Sequence, residues 1–277
     1  MKRALCFALI LSTVSVFASS EEYWKAEEYY KNSSSQKQAA TDLMSYITIP
    51  ENGSILDVGC GDGKITVELA EKTPLGSVIG VDISNAMIEF AKTHFSSKPN
   101  ISFHLQDAQK LDFQNTFDVV FSFTTLQWVE NHTAFLQGAY QSLKQSGTLA
   151  ITMPMGLPHT LEQAVNEVIC APEWTSYFQN FSTGWNFVSE ADYKELLLAN
   201  HFKVQRLAVV PQKDIFPSRE IFEKFIGQWF PYLRPLPDSL KQTFLTQVVD
   251  RYLALESFSP NGEVHFKIRR LEIVALK

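Results

Sequence analysis

Residues 54–82 read SILDVGCGDGKITVELAEKTPLGSVIGVD, and the order of patterns in this stretch decides the fold. A short apolar run (Ile55 to Val58) enters a glycine turn, a segment with helical apolar spacing follows (64–72), and a second apolar run (Val78 to Val81) ends on an acid. Strand, turn, helix and strand in that order form a parallel unit, because a parallel return needs a helical crossover. The rhythm continues outward through NAMIEFAKTHF (85–95), ISFHLQD (101–107), FDVVFSF (117–123), HTAFLQGAYQSL (132–143) and GTLAITM (147–153). Four of the strand candidates, Ile55 to Val58, Val78 to Val81, Val119 to Phe123 and Leu149 to Met153, are nearly continuous apolar runs. Strands of a parallel sheet covered by helices on both faces read that way. The expected fold is a doubly wound α/β sheet.

The rest of the chain is arranged around this core. Its 277 residues are 45% apolar and 19% charged with three cysteines, which excludes a disordered chain, a collagen-like repeat and a disulfide-stapled miniprotein. The formal charge of −6 leaves no broad basic face, so a nucleic acid is not an expected partner. Residues 1–18 pair Lys2 and Arg3 with an apolar run ending in Val16-Phe17-Ala18, the pattern of a secretory signal cleaved after Ala18. Its removal takes away two positive charges and moves the formal charge from −6 to −8. The run is too short for a stable membrane span; export through the secretory pathway is expected, with a retained N-terminal anchor or a cytoplasmic chain as the alternatives. Residues 19–50 suggest two short helices acting as a lid, residues 51–153 the core, and residues 154–277 the remainder of the sheet with a helical cap insertion at 217–258 broken at Pro231, Pro235 and Pro237. Within 154–277 a helix at His159 to Cys170, a helix at Glu190 to Ala199, a strand at Phe202 to Val210 and a half-exposed final strand, VHFKIRRLEIVALK, are expected, and the helices read as a cap on one sheet without a core of their own. Cys60 and Cys170 have no metal-ligand spacing; a disulfide between them stays open beside the reading of Cys60 as a small buried thiol.

The chemistry follows the first strand. Gly59, Gly61 and Gly63 permit a tight turn whose main-chain amides face a ligand at a helix N-terminus. A dinucleotide fingerprint would place glycine at position 64, where this chain has Lys64, and it has Asp57 two residues before the first glycine. A carboxylate there repels a pyrophosphate and attracts a ligand carrying an amino group and a sulfonium. Asp82, nineteen residues after Gly63, is placed to accept both hydroxyls of a ribose, and Asp107 followed by Ala108 stands where an adenine amino group could be held. Each acid read alone also fits a strand-end turn residue or a helix cap. Three on consecutive strand ends favour the adenosine reading.

ILDVGCGDGKIT (55–66), VIGVDIS (78–84), LQDAQKLDF (105–113) and FDVVFSFTTLQWV (117–129) resemble the successive motifs of the class I S-adenosylmethionine-dependent methyltransferases. The resemblance implies a Rossmann-like seven-stranded sheet with its last strand antiparallel and S-adenosylmethionine as cofactor. It further implies that Asp57 with the Gly59, Cys60, Gly61 and Gly63 backbone holds the methionine part, Asp82 the ribose, Ile83 the adenine edge, and Asp107 with Ala108 the adenine. LQWVENH, LAITMPMGLPHT, PYLRPLP and the final strand are similar to segments of the trans-aconitate methyltransferases, and in part to the malonyl-acyl-carrier-protein and juvenile-hormone-acid methyltransferases. Met155-Gly156 departs from the Asp-Asn of the trans-aconitate group.

Those relatives esterify carboxylates, so the implied substrate is a small carboxylic acid. A carboxylate is ionised near neutrality, and no catalytic base is required. Ligands of an open α/β sheet lie beyond the carboxyl ends of its strands, which makes Phe123, Thr124, Gln127 and Trp128 candidates for positioning the acceptor. Arg234, and one of the adjacent Arg269 and Arg270, are candidates for pairing with an anion. Tyr23, Trp24, Tyr29, Tyr30 and Gln36 lie in the segment that closes over the cofactor in this group, or form a simple docking helix. An acyl-carrier or protein substrate, a noncatalytic adenosine-ligand module and a dehydrogenase are the competing readings, the last opposed by Asp57 and Lys64; the oligomeric state stays open.

Overall fold

A computed structural model describes residues 24–95, 97–256 and 261–277. The proposed signal at residues 1–18, and Tyr23, lie outside the described residues. Seven strands form one sheet: β1 (Ser54–Val58), β2 (Ser77–Asp82), β3 (Ile101–Leu105), β4 (Phe117–Phe123), β5 (Leu143–Pro154), β6 (Lys203–Phe216) and β7 (Val264–Leu276), in the order β3-β2-β1-β4-β5-β7-β6. β1 to β5 are mutually parallel, and β7 runs antiparallel between β5 and β6. This is the expected doubly wound sheet with its last strand reversed. Its order turns back at β1 and β4, so a crevice opens beyond the ends of those two strands.

Both faces of the sheet are covered. Ile55, Val78, Val119 and Phe121 point to one side, where they pack with Ala40 and Leu43 of α2 (Ser34–Met44) and Leu69 and Ala70 of α3 (Lys64–Lys72). Leu56, Val58, Val81 and Val120 point to the other, against Phe135 and Leu136 of α5 (His132–Ser142) and Tyr193 and Leu197 of α7 (Glu190–Ala199). Neighbouring residues thus serve opposite cores, and the strands read as unbroken apolar runs. α4 (Asn85–Phe95) closes the β2–β3 crossover. Helix starts are fixed locally: Asn131 Oδ1 accepts the Ala134 N–H at 2.9 Å, and Ser189 Oγ accepts that of Asp192 at 3.1 Å.

Three expectations need correction. β6 continues to Phe216 instead of ending at Val210; Pro211 is tolerated because β6 is the sheet's edge, where a missing N–H costs no ladder bond. The second half of β7, Leu271 to Ala275, is buried rather than half exposed, since β7 lies inside the sheet. The cap also has its own apolar core. In it α6 (His159–Ile169), α8 (Arg219–Gly227) and α9 (Asp238–Leu255) pack Leu161, Val165, Phe222, Phe244 and Val248 against Phe216, Val264 and Phe266 at the far ends of β6 and β7. Cys60 is buried and Cys170 exposed, and both are free thiols, so the open disulfide is absent. Among the described residues no helix is long and apolar enough to cross a membrane.

Candidate active site

The turn after β1 is left-handed at each glycine, with φ of 76° at Gly59, 53° at Gly61 and 82° at Gly63. Gly59 is confined, since a Cβ there would stand 2.1 Å from Thr125 Oγ1. At Gly61 the same atom would meet only Tyr29 Cε1, at 3.9 Å. The main chain at Gly61 is therefore open to a ligand on the side that Tyr29 faces.

Three carboxyl groups gather at this turn. Asp57 is 1% exposed and accepts the Thr66 hydroxyl at 2.7 Å. Burial pushes its pKa up to about 7 against the pull of that hydrogen bond, and Asp82 and Asp62 push it further the same way. Asp82 accepts the Gly61 N–H at 2.9 Å through one oxygen and the Ser84 N–H at 2.8 Å through the other, and desolvation again raises its pKa. Asp62 accepts the Lys64 N–H at 3.0 Å with one oxygen, while its other oxygen is buried without a partner; burial raises it too. Cys60, buried beside these acids, is pushed well up and stays a thiol. The Lys64 ammonium is directed to the Tyr30 carbonyl and, at 3.0 Å, to Ser33 Oγ, 4.2 Å above the Tyr30 ring. It ties α1 (Ala26–Asn32) and the start of α2 down over the turn.

The next strand ends add an apolar wall. Ile83 is 53% and Leu105 55% exposed, following and paired with Asp82 respectively. Asp107 caps a short turn by accepting the Gln109 N–H at 2.9 Å, and Ala108 behind it is buried.

A second cavity adjoins the turn, and Tyr29 and Gln36 line both. It is a chamber walled by Trp24, Trp128, Trp185, Trp229, Phe187, Phe225 and Phe266. Trp128 meets Trp24 edge-on at 5.5 Å and Trp185 at 5.6 Å between ring centroids. Thr124 sits at the β4 end with φ 52°, a conformation that a β-branched residue adopts only when held. It is held by its N–H on the Thr152 carbonyl at 2.7 Å and by the Gln127 amide on its own carbonyl at 2.8 Å. Gln36 Oε1, Gln127 Oε1 and Thr152 Oγ1 are buried here without a hydrogen-bond partner among the described residues. Unpaired buried polar atoms at a cavity wall are available to a ligand.

The sequence candidates separate accordingly. Asp57, Gly59, Cys60, Gly61 and Phe123 line the turn cavity, Gly63 turns instead toward Phe103 and Ala91, and Thr124, Gln127 and Trp128 line the chamber. Arg234 is exposed at the rim, donating to the Thr183 carbonyl at 3.2 Å with its guanidinium 5.2 Å from the Trp128 ring centre. Of the adjacent pair Arg270 points inward, 4% exposed, and Arg269 is exposed. Sequence reasoning missed Trp185, Trp229 and Thr152, which lie far apart in the chain and carry no short-range signal; the aromatic richness of 174–187 and 216–232 is the trace they leave.

A family profile described as a methyltransferase domain matches residues 49–197, more than half of the chain. The chain belongs to the methyltransferase domain family. It is a class I S-adenosylmethionine-dependent methyltransferase related to the trans-aconitate group. A protein of Invertebrate iridescent virus 6 that bears a methyltransferase name is 27% identical over 263 residues, covering 95% of this methyltransferase and 94% of its own length. Trans-aconitate 2-methyltransferase of Acidovorax sp. strain JS42 is 26% identical over 257 residues, covering 91% and 97%. The fold is similar to that of the YcgJ protein from Bacillus subtilis, with a TM-score of 0.60 at 15% identity over 87% of this chain and 98% of that one. The residues at the turn fit the cofactor of such a methyltransferase. The unpartnered Asp62 oxygen and the acids raised by burial call for a cation, and the exposed Ile83 and Leu105 offer an apolar plane.

Proposed function

We propose that this methyltransferase esterifies a carboxylate of a small organic acid held in the aromatic chamber. The observation that carries this reading is the chamber's lining: among the described residues it contains no His, Cys, Lys, Asp or Glu. Tyr29, where the two cavities meet, has its pKa raised by burial and the nearby Asp62 and Asp82, which keeps it protonated and unavailable as a base near neutrality. A hydroxyl, phenol or amine acceptor would need its proton removed. A carboxylate arrives ionised and needs no base. The trans-aconitate relatives support the same choice.

When bound, S-adenosylmethionine supplies an electrophilic methyl carbon on a sulfonium. Asp57 and the backbone of Gly59 to Gly63, Cys60 included, are assigned to its amino-acid part, Asp82 to the ribose hydroxyls, Ile83 and Asp107 with Ala108 to the adenine. Held in line with that carbon, an acceptor carboxylate would take the methyl group, with sulfur as the leaving group and no proton to be moved. The protein's task is alignment and exclusion of water. Thr124, Gln127 and Trp128 position the acceptor, Phe123 backs the junction of the two cavities, and α1 covers it.

Calorimetric titration with S-adenosylmethionine tests the cofactor site: Asp82→Asn should weaken binding by at least about tenfold, since a charge-assisted pair of hydrogen bonds is lost. The acceptor reading is tested by the pH profile, which should be flat in kcat between about pH 6 and 9 at saturating cofactor. A tenfold rise per pH unit would instead identify an acceptor that must lose a proton. Residues 1–18 have the features of a secretory signal, and export is the proposed destination. The N-terminus of secreted protein should then read from Ser19; intact Met1 on soluble cytosolic protein would overturn export.

A further inference from the structure

The chamber's charge pattern carries its reading beyond a carboxylate in general. Among the described residues its lining includes one charged side chain, Arg270, 4% exposed. That guanidinium is already engaged: Nε and Nη2 donate to Glu272 Oε1 at 3.1 and 3.0 Å, Nη1 to Gln212 Oε1 at 2.6 Å, and Nη2 also to Asp42 Oδ2 at 2.5 Å. Glu272 is shared with Arg206 at 2.7 Å, and Gln212 is tied to Ser35 and Asp214. Around this floor two guanidinium groups, Arg206 and Arg270, meet two carboxylates, Glu272 and Asp42, and a third carboxylate, Asp214, stands behind them accepting from Gln212 and Ser35. A carboxylate placed beside Arg270 would face acids already there, and most of the fork's donors are spent.

Resting on the carboxyl-methyltransferase reading, we propose that the acceptor is an apolar monocarboxylic acid, with an aromatic or aliphatic body, and that polycarboxylates are excluded. One carboxylate sits where the two cavities meet, accepting from the Thr152 hydroxyl, which is buried without a partner, and from the N–H side of the Gln36 amide, the only side of that amide that can donate. The body of the acid fills the space among Trp128, Trp185, Trp229 and Phe225. A second carboxylate would be buried there unpaired, the most costly arrangement available to a small ligand. Specificity comes from Asp42 and Glu272 neutralising Arg270, the arginine that lines the chamber.

The test uses the full mature chain with S-adenosylhomocysteine present, and reads tryptophan fluorescence during titration with decanoate, 3-phenylpropionate, glutarate and citrate. The two apolar monoacids should bind at least about thirtyfold tighter than glutarate or citrate. Citrate or glutarate binding as tightly as the monoacids would overturn the proposal. In Asp42→Asn, which frees part of Arg270 from the α2 surface, glutarate affinity should rise at least about threefold while the monoacids stay unchanged. An unchanged ratio would overturn the role given to Asp42. Monoacids that bind selectively yet are not methylated when S-adenosylmethionine replaces its product would uphold this selectivity and bring down the esterification reading instead.

Discussion

Asp57 shows how one residue's environment couples to its function. Its carboxyl is buried against Thr66 with Asp62 and Asp82 near, so its folded pKa of about 7 lies above the ordinary 3.8. Between those values the folded state holds a proton that the unfolded chain has released. The stability associated with Asp57 is therefore present below about pH 4 and falls as pH rises through 7. Urea unfolding should show this as a loss of stability between about pH 4 and 7 that is smaller in Asp57→Asn, where the shares of Asp62 and Asp82 remain. A bound cation beside Asp57 favours the ionised form, so cofactor binding near pH 7 should release protons. Calorimetry in two buffers of different ionisation enthalpy measures that release, and equal heats in both buffers would refute it. Asp57 was legible as a candidate from its spacing to Gly59, whereas its protonation depends on burial and on acids from other parts of the chain.

At the scale of elements, α2 is bound to the sheet by polar contacts as well as by Ala40 and Leu43. Asp42 reaches Arg270 on β7, and Ser35 donates to Asp214 on β6 at 2.7 Å. Glu272, 1% exposed, is paired with both Arg270 and Arg206. Arg270→Leu should cost about 3–5 kcal/mol in urea unfolding, because it strips one partner from a buried carboxylate. Adding Glu272→Leu should recover much of that loss, as an apolar pair needs no compensation there. No further loss or gain in the double variant would show that Glu272 is satisfied by Arg206 alone. The helices were readable from apolar spacing, Glu190 to Ala199 to the residue, while β6 was cut short at Pro211 because a proline among polar residues reads as a break unless the strand is known to be an edge.

At the scale of the whole molecule, the sheet and the cap divide the labour. The sheet's core supports the glycine turn and its acids, and the cap's separate core of Leu161, Phe222, Phe244 and Val248 supports the chamber wall of Phe225, Trp229 and Phe266. Phe244→Ala, fully buried among Trp174 and Phe178, should cost about 3–5 kcal/mol through the cavity it leaves. At a temperature where this variant is still folded, cofactor affinity should stay within about twofold of the wild type while KM for the acceptor rises, because the two cavities rest on different cores. An equal loss at both sites would show that the cap and sheet respond as one unit.

The sequence by itself determined the parallel sheet, the glycine turn and the three acids at its strand ends. These depend on residues close in the chain: a buried strand must be apolar on both faces, a left-handed turn needs glycine, and each acid stands at a strand end whose place in the sheet follows from strand order. The tertiary structure alone decided which arginine turns inward, what neutralises it and which aromatics wall the chamber. Arg270 and Glu272 stand on β7 and Asp42 on α2, more than two hundred residues earlier, and Trp24, Trp128, Trp185 and Trp229 come from four segments of the chain. A pocket's charge is a sum over side chains brought together through space, and no local pattern of residues contains that sum.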